Sequence, residues 1–220
     1  MRPVALLALA MSAAAATSHA DLRAQSGARE RIVGQQCEGC EAVFEGRPSA
    51  LSSTARIAPA GEPGAAMTLT GRVLDREGRP RSGVVVYAYH TNAEGLYPPP
   101  ATSAGAAADR HGRLRGFAVS GADGRYTFDT IRPAAYPRRE APAHIHMHVI
   151  ECGCATYYID DVMFTDDPLL TPDARIRYSN GRAGSGIAAP MREGGRWKVT
   201  RDIHLGRGVP GYPACGAGGR

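Results

Sequence analysis

From Met67 onward, hydrophobic and polar positions alternate in short runs. Met67 to Leu74 (MTLTGRVL) alternates residue by residue, as a half-buried strand does, and Asp75 to Pro80 (DREGRP) is turn chemistry. Gly83 to His90 (GVVVYAYH) predicts a strong strand, rich in β-branched and aromatic residues. Asn92 to Gly95 breaks it, and a Pro/Ala/Gly loop follows from Pro98 to about Ala108. Arg113 to Ser120 reads as a weaker strand, Gly121 to Gly124 as a tight turn and Arg125 to Thr130 as another strand. His144 to Glu151 (HIHMHVIE), Tyr157 to Phe164 and Trp197 to Leu205 complete the set, with a short helix or loop expected around Asp167 to Arg177. Short strands at regular intervals, without an amphipathic helix between them, predict an all-β sandwich.

The ends of the chain are organised differently. Residues 21–66 are Ala/Gly/Ser/Pro-rich with weak periodicity and predict an extended N-terminal arm, leaving 67–208 for the sandwich and 209–220 for a tail docked through Tyr212. Residues 1–20 have the pattern of a signal peptide. Arg2 is the positive start, Val4 to Ala16 is an apolar run too short to span a bilayer, and Ser18-His19-Ala20 offers small residues for cleavage after Ala20. Export to the periplasm or the medium is therefore expected, and no later stretch reads as a transmembrane segment. The five cysteines are then expected in disulfides with one left over, although Cys37-x-x-Cys40 and Cys152-x-Cys154 also raise a four-cysteine zinc site of unusually tight spacing. A formal charge of +5, spread without a basic stripe, argues against a nucleic-acid partner.

Two residue types carry candidate chemistry. His144 and His146 are two apart on a predicted strand, so both imidazoles project from one face, and His148 continues the row. That admits a zinc or copper site on three histidines, although a His-x-His pair alone is not specific. Tyr136 follows a strand in a proline-fixed loop eight residues before His144, and Tyr97 ends the segment after the strongest strand. A loop tyrosine is commonly only an amphipathic surface residue. A phenolate is nevertheless a hard anionic ligand suited to a ferric ion, and imidazole also binds iron. The Tyr157-Tyr158 and Asp160-Asp161 doublets read as packing and solvated loop.

The order of these pieces resembles the intradiol ring-cleavage dioxygenases, the family that opens protocatechuate and catechol rings. The matching pieces are Gly71 to Pro80 (GRVLDREGRP), Val86 to Tyr97 (VYAYHTNAEGLY, with Tyr89 where tryptophan is common), Arg115-Gly116, Asp123 to Pro133 (DGRYTFDTIRP), Tyr136-Pro137 and Ala143-His-Ile-His146. Gly71 to Val149 is about a third to two-fifths of the chain. The resemblance implies a β-sandwich of the prealbumin-like type with long active-site loops. It implies one non-haem Fe(III), with Tyr97 and His144 as equatorial ligands and Tyr136 and His146 as the axial pair. Catechol and O2 would be the substrates and a muconic acid the product class, with the oligomeric state left open. The family also places an arginine shortly before the first histidine. Here Ala141 holds that position, so Arg138 and Arg139 are the candidates for its role. A transthyretin-like binding module shares the Gly71 and Asp123 stretches and needs none of the four ligand residues.

Overall fold

The alternating segments become strands, and the strands divide between two sheets. In chain order they are β1 (Arg31–Ile32), β2 (Thr54–Arg56), β3 (Ala66–Leu74), β4 (Val85–His90), β5 (Arg115–Val119) and β6 (Arg125–Ile131). They continue with β7 (His144–Glu151), β8 (Ala155–Phe164), β9 (Ile187–Ala188), β10 (Met191–Glu193), β11 (Arg196–Thr200) and β12 (Ile203–His204). A 3-10 turn at Cys40–Phe44 and two short helices, α1 (Ala106–Arg110) and α2 (Pro172–Tyr178), are the helical segments among the described residues. The computed structural model describes residues 31–34, 37, 39–138, 141–213 and 215, so the signal peptide expected over 1–20 lies outside them.

The first sheet runs β1-β8-β7-β4-β5 with β9 also on β8, and the second runs β10-β11-β3-β6-β2 with β12 also on β3. Their facing sides form the main core. Met67 and Leu69 of β3, Phe128 of β6, Val86 of β4 and Met147 of β7 are all fully buried there. Strand pairing fixes which residues face inward, because successive side chains point to opposite faces. On β7 the inward set is Ile145, Met147 and Val149, which leaves His144, His146 and His148 on the outer face.

That outer face is covered as well. Val85, Tyr87 and Tyr89 of β4 and Ile150 of β7 pack against Ala42 and Val43 of the 3-10 turn and Ala107 and Ala108 of α1. All six residues of β4 are buried: Val86 and Ala88 in the core between the sheets, Val85, Tyr87 and Tyr89 in the outer cluster, and His90 hydrogen-bonded to Thr91 O and Thr130 Oγ1. The described part of residues 21–66 thus belongs to the sandwich: β1 pairs in parallel with β8, β2 in parallel with β6, and the 3-10 turn seals the first sheet.

The run Trp197 to Leu205 does not form one strand. It breaks at Arg201–Asp202 into β11 and β12, both parallel to β3. The Asp202 carboxylate accepts the Arg72 N–H at 2.8 Å, replacing a ladder bond. The buried Arg201 guanidinium meanwhile donates to the carbonyls of Ala183, Arg182 and Gly184. The cysteines pair as Cys37–Cys40 and Cys154–Cys215, with Cys152 in neither bridge, so no four-cysteine knuckle forms. The tail docks as its aromatic residue suggests: Tyr212 meets Tyr157 edge-on and donates to Glu151 at 2.9 Å.

Phe128 sits fully buried between the sheets. Phe128→Ala is expected to destabilise the fold by about 3–5 kcal/mol, seen as a lowered urea midpoint at unchanged slope.

Candidate metal centre

The outer face of β7 presents the two imidazoles, and β8 is shaped to meet them. Ile145 pairs with Val162 and Met147 with Ile159, so Asp160 and Asp161 together oppose His146. This is a β-bulge: one extra residue lets Ile159, Val162 and Phe164 all face the core while both carboxylates turn outward. The crossing segment comes so near that a Cβ on Gly186 would lie 1.9 Å from the Asp161 carbonyl oxygen. Asp160 accepts the N–H groups of Asn180 and Gly181 at 2.8 and 2.7 Å and pairs with Arg182. Asp161 accepts from His146 Nδ1 at 3.0 Å and from the Tyr158 hydroxyl. The reading of these doublets as packing and solvated loop is therefore corrected: Asp160 is buried on its own partners, and Asp161 and Tyr158 are half-buried partners of His146.

The tyrosines arrive on two loops that are stitched together. Asn92 closes the first, its carboxamide oxygen accepting Glu94 N and Leu96 N at 3.0 Å each. Its carbonyl takes Ala134 N from the second loop at 3.1 Å, and Thr91 Oγ1 donates to Ala134 O at 2.7 Å. Gly95, at φ 79°, lies where a Cβ would be 2.0 Å from Ala135 O, next to Tyr136. Only glycine lets the loops touch so closely.

Tyr97, Tyr136, His144 and His146 converge. Tyr97 Oη is 2.9 Å from Tyr136 Oη and 3.0 Å from His146 Nε2. Tyr136 Oη is 3.2 Å from His144 Nε2 and 3.4 Å from His146 Nε2, and the two Nε2 atoms are 3.0 Å apart. Donor atoms so spaced surround a point about 2 Å from each, the length of a metal–nitrogen or metal–oxygen bond.

The proton positions favour the same conclusion. His144 Nδ1 donates to the Pro142 carbonyl at 2.6 Å, and His146 Nδ1 faces the Asp161 carboxylate. Both partners accept only, and the Tyr158 hydroxyl beside His146 Nδ1 donates its proton to Asp161, so in the neutral form of each ring the proton sits on Nδ1 and the two Nε2 lone pairs face one another. A cation fits that gap. Burial and the neighbouring His146 lower the pKa of His144, which keeps its lone pair available. Burial alone would raise the Asp161 carboxyl, but His146 holds it down at about 2. Burial, with the Tyr136 hydroxyl beside it, pushes the Tyr97 phenol far above its usual value. That phenol gives up its proton only to a strong Lewis acid.

Other candidates fall outside the cluster. Among the described residues, metal-competent groupings join His144 and His146 to Asp161 but His148 to Cys37 and Cys40, so a three-histidine site does not form. His148 is buried among Tyr87 and Tyr158, and burial, with His111 and His146 near, lowers its pKa to about 3. Arg138 is exposed on the turn after Tyr136, and Arg139 lies outside the described residues. Tyr89 gains a role: its ring stacks on His146 at 4.5 Å and on His111 at 3.6 Å, walling the cluster on one side.

Comparison with known proteins gives a consistent picture. A family model described as "Dioxygenase" matches residues 43–189, well over half of the chain. The protocatechuate 3,4-dioxygenase beta chain of Burkholderia cepacia is 34% identical over 119 residues, covering 51% of each chain. Hydroxyquinol 1,2-dioxygenase from a Rhizobium strain is 31% identical over 124 residues, covering 49% of this chain and 40% of the relative. The chain spans about half the length of the curated relatives it matches. Among solved structures, a dioxygenase domain from Streptomyces sp. SirexAA-E aligns with a TM-score of 0.56 at 23% identity, over 80% of this chain and 98% of that one. Hydroxyquinol 1,2-dioxygenase from Pseudomonas putida DLL-E4 aligns at 0.55 and 20% identity, over 84% and 68%. These two carry the fold.

Gly95→Ala tests the loop contact. It is expected to cost more than about 1 kcal/mol in thermal unfolding, because an L side chain at this φ is strained and collides with Ala135. Metal uptake by equilibrium dialysis is expected to weaken about tenfold or more as the phenols separate.

Proposed function

The chain belongs to the intradiol ring-cleavage dioxygenase family, and on that premise we propose that it is a non-haem Fe(III) enzyme that takes a catechol and O2 and opens the ring between the two hydroxylated carbons to a muconate-type product. The observation that carries this reading is the meeting of two phenols and two lone-pair-bearing imidazoles at one point. Tyr97, Tyr136, His144 and His146 would hold the ion. When bound, Fe(III) supplies Lewis acidity that drains charge from the ring and a template on which the substrate oxygens are held.

The protein's own share is orientation, proton management and exclusion of water. Pro142 O and Asp161 fix the imidazole tautomers, and the bulge on β8 fixes Asp161. The Tyr89 ring and the apolar cover of the 3-10 turn and α1 keep water from one side. Both phenol protons must leave when the cation is loaded, so iron affinity is expected to rise with pH while the phenols are still protonated in the metal-free protein. We assign to Arg138, on the turn after Tyr136, and to Arg139, next to it in sequence, the negative charge that develops on the substrate carbon meeting dioxygen. We also propose that the enzyme acts outside the cytoplasm, a reading supported by the two disulfides, which persist in oxidising compartments. N-terminal sequencing of the protein recovered from periplasm or medium is expected to start at Asp21.

Iron analysis and a visible spectrum test the central claim. One iron per chain and a strong tyrosinate-to-Fe(III) colour are expected, with Tyr97→Phe losing most of the colour. A colourless protein holding zinc or copper would overturn the reading. Asp161→Asn is expected to weaken iron binding about 10–100-fold, the usual cost of losing a partner that orients a ligand histidine. Replacing Arg138 and Arg139 by Ala is expected to keep the colour and slow oxygen uptake with a catechol about a hundredfold. An unchanged rate removes both from the mechanism.

A further inference from the structure

Two positions along β7 from His146, His148 lies only 1% exposed with neither ring nitrogen hydrogen-bonded. Buried polar groups are nearly always satisfied, because one left unpaired keeps its desolvation cost without recompense. His148 bears that cost at both nitrogens. The group facing it is the Cys37–Cys40 pair: the two sulfurs and a ring nitrogen of His148 all lie within 4.8 Å of one another.

The cysteine pair is held firmly against the sheet. Cys40 begins the 3-10 turn whose Ala42 and Val43 are fully buried in the outer cluster. Gly39, between the cysteines at φ 71°, sits against His111, where a Cβ would be 2.5 Å from Nε2. Cys40 is buried and Cys37 is partly exposed, so a small reductant or ion has one side of approach.

We propose that Cys37, Cys40 and His148 form a second metal site, for a borderline-soft divalent cation of the zinc type, open only when the cysteine pair is reduced. Reduction by a dithiol transfers two electrons and two protons to the Cys37–Cys40 bond, giving two thiols and leaving the reductant as a disulfide. Each thiol releases its proton to water as the cation binds, His148 gives the lone pair of a neutral nitrogen, and water takes the fourth position. Exchange with an exogenous disulfide takes two electrons from the thiolates, re-forms the S–S bond, leaves that disulfide as two thiols with protons drawn from water, and frees the cation. The Cys-x-x-Cys spacing is that of zinc knuckles, and the third donor is the histidine whose nitrogens the fold otherwise leaves unsatisfied. The site does not draw on Tyr97, Tyr136, His144 or His146, so it stands or falls separately from the iron centre.

Cobalt(II) is the probe, because thiolate ligation gives it a near-ultraviolet charge-transfer band that imidazole and phenolate ligation do not reproduce. The full chain, reduced with a phosphine, is titrated with cobalt(II) and compared with the oxidised chain. The band is expected to saturate at one equivalent in the reduced protein and to be missing in the oxidised protein and in Cys40→Ser. It is expected to persist in His144→Ala, and His148→Ala is expected to bind about tenfold more weakly or worse. A second measurement needs no variant: zinc is expected to protect Cys37 and Cys40 of the reduced chain from alkylation, read by peptide mass spectrometry, while leaving Cys152 reactive. Absence of the band, a band indifferent to His148→Ala, or equal alkylation with and without zinc would each overturn the proposal.

Discussion

The site depends on the requirement that Ile145, Met147 and Val149 face the sandwich core. A strand has only two sides, so burying these three puts His144, His146 and His148 together on the other. A slip of one residue would drive three imidazoles into the aliphatic core between the sheets, away from their polar partners, and turn three aliphatic side chains toward the tyrosines, which works against the fold. The core therefore enforces the register that brings the two imidazoles together, and the pair comes without dedicated loop structure. Strict alternation also has a cost, since it allows the neighbouring strand only one residue opposite His146. The bulge at Asp160–Asp161 escapes that limit. One carboxylate goes to orienting the His146 ring and the other to anchoring the Asn180–Arg182 segment.

The tyrosines are positioned by a different principle. Their loops cannot rely on ladder bonds, so they rely on each other: Asn92, Thr91, Ala134 and Ala135 form a small hydrogen-bonded seam with Gly95 at its tightest point. A rigid strand supplies the nitrogens and a seamed pair of loops supplies the oxygens. The buried Tyr89 ring joins the two halves, lying against His146 and about 6 Å from the Tyr97 ring.

Much of this was legible in the residues. The strands announced themselves because alternation is a direct image of burial, and the four donors stood out as a His-x-His pair and two loop tyrosines in family order. Asp161 did not, because a bulge is an exception to the period from which faces are read. The available signal was the pair of adjacent carboxylates interrupting the apolar run from Tyr157 to Phe164. The break at Arg201–Asp202 was hidden for a related reason: it depends on partners far away in sequence, Arg72, Ala183 and Gly184. Cysteine pairing is likewise a property of the folded path, and spacing alone left Cys154–Cys215 as one choice among many.

The placement of the shortest strands has a consequence for the protein among its own copies. The longest strands, β3, β7 and β8, all have partners on both sides, whereas the outermost strands β1, β2, β9 and β10 are two or three residues long. The five-residue β5, on the far side of the first sheet, has its Val119 N–H taken by Ser52 O at 3.0 Å. Among the described residues, a stray extended chain thus meets only short stretches of outermost strand on which to add itself. For an all-β protein the pieces drawn from residues 31–57 and 187–193 therefore act as blunt ends, which favour a dispersed solution over stacked sheets.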